Sequence, residues 1–554
     1  MSVTKTHHPH TLMALSAAAA IATAVAVTAE AAVPGITGPT FNLQAAPGYI
    51  SQPDGTSVYM WGYGCSAAPT GYEPATVAGA NCGSMQNPGP TLIVTEGDTV
   101  TVTLTNNLPK AVGNTSILFP GQDVSAEAAT GQTGSCSVAA VGLLATEAAN
   151  GCAVTYTFTV SKPGTYAYYS GTRGDLQIEM GLYGALIVLP NLSGGVPTDY
   201  AAYKAALPAN LPDTCRALSP TGRQTAAGNE PDYRLAAAAY DHPSACYDRE
   251  YMFQLSEVDL VIHQQAEQQV TADQKKTVQC ARPTGCLQVA TEPYHPSYFM
   301  VNGRSFPDLA DSNYNVGYPT QPYNGNPHAH PGELILVRVV GTGRWQHPLH
   351  EHGNHLRILA RDGNLITSAS GKLAGPLVFT TTSTPGMTMD TIYQWTGKGL
   401  NWDIFGHGSA NASTTADSIT ASECHPDANG YYTTGSGADG TEINYYEWCQ
   451  DHGKALESKP FGNVGGGGPV TLPDPSLLAM GVWYAGTPYF TLDANSRVGG
   501  TPIPMGNVGN FTGSFAYMWH SHNEREITTN NAFPGGMMMM LLVDPWDAAI
   551  NEAN

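Results

Sequence analysis

Charge is scarce in this chain, and positive charge is scarcer. Only 12% of the 554 residues are charged, and 23 Lys and Arg stand against 44 Asp and Glu, for a formal charge of −21 at pH 7. That balance argues against nucleic acid as a partner, since phosphate backbones are met by basic patches. It is compatible with cations, although an acidic surface that keeps the chain in solution is the plainer reading. Beyond the N-terminal segment no apolar run reaches about 18 residues, so no transmembrane segment is expected. There is no G-x-S-x-G and no phosphate-binding glycine loop, which leaves hydrolase and nucleotide-binding readings without support. The C-x-x-C spacing of zinc ribbons is missing as well.

What the chain does have is 61 Gly and 40 Pro, a composition of loop-rich β structure rather than long surface helices. Residues 1–31 have the layout of a secretory signal: Lys5, an Ala-rich apolar run from Leu12 to Val27, then Ala29-Glu30-Ala31 as a cleavage site. Export to the periplasm, the cell surface or the medium is therefore expected. The ten cysteines are even in number and suit that compartment. Sequence proximity suggests the pairs Cys65–Cys82, Cys136–Cys152, Cys215–Cys246, Cys280–Cys286 and Cys424–Cys449.

From Pro90 the chain reads PTLIVTEGDTVTVTLTNNLP, with Val and Thr alternating after the turn Glu96-Gly97-Asp98. That is a strand buried on one face. Two histidine strings stand out near the other end: HPLHEHGNH from His347 to His355, and WHSHNERE around His520 and His522. Side chains alternate along a strand, so His350 and His352 share a face, as do His520 and His522. If the two strands are neighbours, four imidazoles converge. Ser521 points the other way, and His347, three positions before His350, tends to its side.

The H-P-x-H-x-H-G string and the later H-x-H resemble the two copper-binding motifs in the second half of a multicopper oxidase. GTYAYYSGTRGDLQIEMGLYGALIVLP, Gly164 to Pro190, is similar to the last strands of that family's first domain. The resemblance implies an all-β fold of two cupredoxin-like Greek-key β-barrels. The first is expected at about 36–190 and the second at 249–546, joined by a Pro-, Ala- and Gly-rich connector at 191–248. A Gly-, Asn- and Ser-rich stretch at about 400–510 is too long for a simple loop and reads as an insertion in the second domain, stapled by Cys424–Cys449.

The departures from the family decide the function. The family's second motif is H-C-H-x-x-x-H, whose cysteine makes the blue copper site; here Ser521 replaces the cysteine and Glu526 the last histidine. No cysteine lies within a copper motif, and a blue site needs a thiolate. The first-domain ligands are gone too: Leu118 and Pro120 stand where the family has H-W-H-G, and Tyr169 and Gly171 replace the other H-x-H. By position, His350 survives from the type 2 pair, and His352, His520 and His522 from the type 3 set.

These four imidazoles are expected to bind one divalent metal between the domains, copper first by the first-row affinity order, with zinc or an empty inherited cluster as the alternatives. The former blue-copper pocket offers His347 and Glu526, with Met537 near the axial position. They would hold a harder ion weakly, or simply pack as a polar pocket, which is the expected reading. His328 and His330 form one more H-x-H, equally explained as exposed loop histidines. In Met537–Met540, core filler is the expected role. Tyr168 and Tyr169 would fill the space of lost copper. No catalytic residue is assigned. The implied functions are a copper-dependent oxidoreductase acting on a small reductant or a metal ion such as Mn(II) or Fe(II), or a non-catalytic metal-binding or structural envelope protein. Assembly into a homo-oligomer stays open.

Overall fold

The computed structural model describes residues 33–395 and 512–544 apart from 76, 78, 194, 198, 206–213, 219–222, 226, 227 and 331. It also describes Ile550 and short strands between 425 and 491. The leader-like segment, Cys424–Cys449 and most of the insertion lie outside the described residues.

Strand Thr99–Asn106 has the alternation read from its sequence, with Val100, Val102, Leu104 and Asn106 inward. It sits in a five-stranded sheet between Thr40–Ser51, which it meets in parallel, and Ala153–Thr159, antiparallel. A second five-stranded sheet carries Gly164–Tyr169, Tyr183–Leu189 and Leu92–Thr95. Most neighbours in each sheet are not consecutive in the chain, so connections cross between sheets as in a Greek-key barrel. Trp61, Tyr63, Tyr156 and Tyr168 fill the space between the sheets.

The second β unit repeats the plan. One sheet runs Tyr298–Val301, Arg249–Val258, Leu334–Gly341, Thr388–Gln394, Leu356–Arg361. The other runs His328–Ala329, Met538–Val543, Thr512–Ser521, His347–Glu351, Thr380–Ser383. Its core gathers Phe253, Trp395, Tyr517, Trp519, Met537 and Met539. Met540 is 37% exposed, so the methionine run is mostly core.

The strand Arg249–Val258 gives way at once to a helix. Asp259 accepts a hydrogen bond from Val261 N and caps a helix, Leu260–Gln274. A short acidic side chain at that position satisfies a helix-end N–H, and the Gln- and Ala-rich sequence that follows favours helix. Ile262, Ala266 and Val270 fall on one face and pack into the first domain's core. The two β units also meet at Thr165, which donates to Asp390 Oδ1 at 2.6 Å and accepts from Arg338 at 3.0 Å. Arg338 is buried and paired with Glu250 at 2.9 Å. Of the suggested disulfides, Cys65–Cys82, Cys136–Cys152, Cys215–Cys246 and Cys280–Cys286 are formed.

Candidate metal centre

Strands His347–Glu351 and Thr512–Ser521 are antiparallel neighbours, with His350 opposite His520 and Leu349 opposite Ser521. The register brings all four predicted imidazoles together. Ring centroids are 4.9 Å apart for His350–His352, 4.8 Å for His350–His522 and 5.6 Å for His350–His520. His352–His520 and His520–His522 are at 5.1 and 5.7 Å. His350, His352 and His520 are buried, while His522 is exposed and leaves one open side.

His520 Nδ1 lies 2.7 Å from the Ser521 carbonyl, to which it can only donate. Its Nε2 therefore carries a lone pair, 3.3 Å from His352 Nε2. Two nitrogens bound tetrahedrally at about 2.05 Å would be roughly 3.3 Å apart, and four such rings would have centroids roughly 5 Å apart. The His352–His520 nitrogen pair has the spacing of two ligands of one ion. Three donor atoms are not gathered at ligating geometry among the described residues, so the nitrogens of His350 and His522 must swing inward for a full shell. His350 Nδ1 lies 2.8 Å from Thr380 Oγ1, which orients that ring. Burial, reinforced by His522 and His520, lowers the His350 pKa to about 4, and burial lowers that of His520. These rings are neutral at pH 7, the form that binds a metal.

The opposite face of the same strands is different. His347 Nδ1 is 2.9 Å from Glu526 Oε2, and its Nε2 is 2.9 Å from Glu257 Oε2. Ser521 Oγ donates to Glu526 Oε2 at 2.5 Å, and Asn523 Nδ2 to Glu526 Oε1 at 2.9 Å. Burial alone would lower the His347 pKa, but the two carboxylates outweigh it and raise it to about 9. With both ring nitrogens engaged, this is a packed polar pocket. Met537 is buried in the core cluster, and its backbone N–H donates to the Glu526 carbonyl at 2.8 Å. Glu257 was not foreseen. Its signal was a carboxylate near the end of the strand stretch YMFQLSEV.

The first-domain positions are filled by ordinary packing. Leu118 and Tyr169 bridge backbone to backbone. Pro120 is half-buried. A Cβ on Gly171 would stand 2.9 Å from Leu118 and 3.1 Å from Ser116 Oγ, which leaves no room for an imidazole there. Tyr168 is buried and donates to the Pro90 carbonyl at 2.7 Å. The described partners of the four clustered histidines, such as Thr380 and Phe379, come from the second domain.

The exposed-loop reading of His328 and His330 is overturned. Both are fully buried: His328 pairs with Asp544 at 3.0 Å and His330 with Glu230 at 2.6 Å. Burial disfavours charge on His330, yet Glu230 raises its pKa. The pair ties the strand His328–Ala329 to the C-terminal strand and the connector.

A family model described as "Multicopper oxidase" matches residues 66–193. No curated protein matches the chain. Among solved structures, the chain is similar to a multicopper oxidase, mgLAC, at 13% identity over 91% of this chain and 85% of that one, with a TM-score of 0.40. A blue copper oxidase from Nitrosomonas europaea has the same identity and coverage, with a TM-score of 0.41. Fet3p, described as a multicopper oxidase that functions in iron import, is 19% identical over 65% of this chain and 46% of that one, with a TM-score of 0.35.

Proposed function

We propose that this chain, which the multicopper oxidase model matches over residues 66–193, is a member of that family of copper-binding oxidoreductases and an exported copper protein with one His-ligated centre. His350, His352, His520 and His522 would hold the ion. The observation that carries this reading is the pair of Nε2 atoms of His352 and His520 at 3.3 Å, inside a cluster of four imidazoles. Bound copper would supply one-electron redox chemistry.

The residues define what such a centre has around it. The Ser521 carbonyl fixes the His520 tautomer, and low imidazole pKa values keep the lone pairs available. His522 is exposed, so a small reductant or a metal ion such as Mn(II) or Fe(II) can reach the edge of the cluster, aided by the acidic surface. Export is supported by the leader-like start and the four disulfides.

A second reading, a non-catalytic metal-binding or structural envelope protein, is favoured by one observation. Where the family takes electrons from substrate, this chain has the Glu257–His347–Glu526 ion network. Metal analysis combined with oxygen uptake on a dye or on Mn(II) separates the two. Copper with turnover supports the oxidoreductase, and copper without turnover supports the binding protein.

A further inference from the structure

A cavity of about 1020 Å³ opens against the strands Leu334–Gly341, Leu356–Arg361 and Thr388–Gln394. Leu359, Leu373, Leu377 and Ile392 give it an apolar wall, and Leu377 is 57% exposed. Arg357 and Lys372 stand beside that wall. Arg357 Nη1 donates to the Gly375 carbonyl at 2.8 Å, and neither cation pairs with a carboxylate among the described residues. Asp199 is the one acidic group among the described residues of the lining. His242 Nδ1 accepts from Ser244 N at 3.1 Å, and its Nε2 lies 2.8 Å from the Gly371 carbonyl. In a chain with a formal charge of −21, this is a local reversal of sign over an apolar surface. Pockets of this size and make-up, apolar walls with a few placed polar groups, hold small organic ligands.

The cavity also adjoins the histidine cluster. Phe379, 39% exposed, has its ring 5.6 Å from His355 in the cavity lining and 5.5 Å from His350 in the cluster. One aromatic ring separates the two.

We propose that this cavity is a binding site for an amphipathic organic anion, with its carboxylate or sulfonate on Arg357 and Lys372 and its apolar body against Leu359, Leu377 and Ile392. The site does not depend on bound metal, so it stands or falls separately from the copper reading.

The probe is 8-anilinonaphthalene-1-sulfonate, titrated by fluorescence into the full-length protein with and without a metal chelator. One saturable site is expected, weakened by added salt and indifferent to the chelator. Arg357→Gln with Lys372→Gln should weaken it at least tenfold, while Arg357→Lys with Lys372→Arg keeps most of the affinity. The uncharged analogue N-phenyl-1-naphthylamine should bind at least tenfold less tightly to the native protein. Lys372→Glu, a change at one exposed side chain, should weaken binding without altering the melting temperature. Unchanged affinity in the Gln double variant, or equal binding of the uncharged analogue, overturns the proposal.

Discussion

The His347 imidazole lies 2.9 Å from the Glu526 carboxylate, and both side chains are fully buried. Ser521 Oγ donates to the same carboxylate at 2.5 Å; the sequence resemblance would put Glu526 at a copper-ligand histidine and Ser521 at the blue-copper cysteine. A proton on His347, held between Glu526 and Glu257, supplies the positive charge in that pocket.

Stability should therefore fall on the alkaline side. The His347 pKa is raised to about 9 from 6.5, so its contribution is complete below about pH 6.5 and is lost as pH rises through 9. A shift of that size corresponds to roughly 3 kcal/mol. Glu526→Gln removes one of the two clamps and should cost about 3 kcal/mol at pH 7, as broken buried pairs do. Urea midpoints from pH 6 to 10 measure both. A flat alkaline arm in the native protein contradicts the clamp.

Glu351 makes a second prediction. It is fully buried, Thr381 Oγ1 is its described hydrogen-bond partner at 2.6 Å, and its Oε2 has none among the described residues. Burial raises its pKa to about 8, against which bonds from Thr381 work. The neutral acid is the folded form, so its contribution is complete below about pH 4.5 and is lost as pH climbs through 8. Glu351→Gln should be nearly neutral at pH 4 and should raise the melting temperature relative to native at pH 9. Equal shifts at both pH values would rule out a buried neutral acid.

The copper-loaded protein should be colourless near 600 nm. That absorption needs thiolate-to-copper charge transfer, and position 521 offers a hydroxyl already bonded to Glu526. An intense blue band in the loaded protein would mean that a cysteine from elsewhere ligates the metal.

Much of this was legible locally. The alternation in Thr99–Asn106 and the two H-x-H pairs follow from the period of a strand, which needs no tertiary information. The convergence of His350 and His520 needed one more step, the pairing of strands far apart in sequence, and the family resemblance supplied it. What stayed hidden was set at long range. Glu257 reaches His347 from 90 positions away, and Asp544 reaches His328 from 216 away. No local pattern pairs such residues. The helix after Asp259 opens on the short apolar run Leu260 to Ile262, which reads as strand or helix alike.

The central claim is that His350, His352, His520 and His522 hold one metal ion. Its most direct test is elemental analysis of copper-loaded, desalted protein beside the variant carrying His350→Ala and His520→Ala, with His347→Ala as a control for general damage. The account predicts about one copper per chain in the native protein, little or none in the double variant, and near-native content in the control. Full copper content in the double variant would place the metal elsewhere and contradict the account.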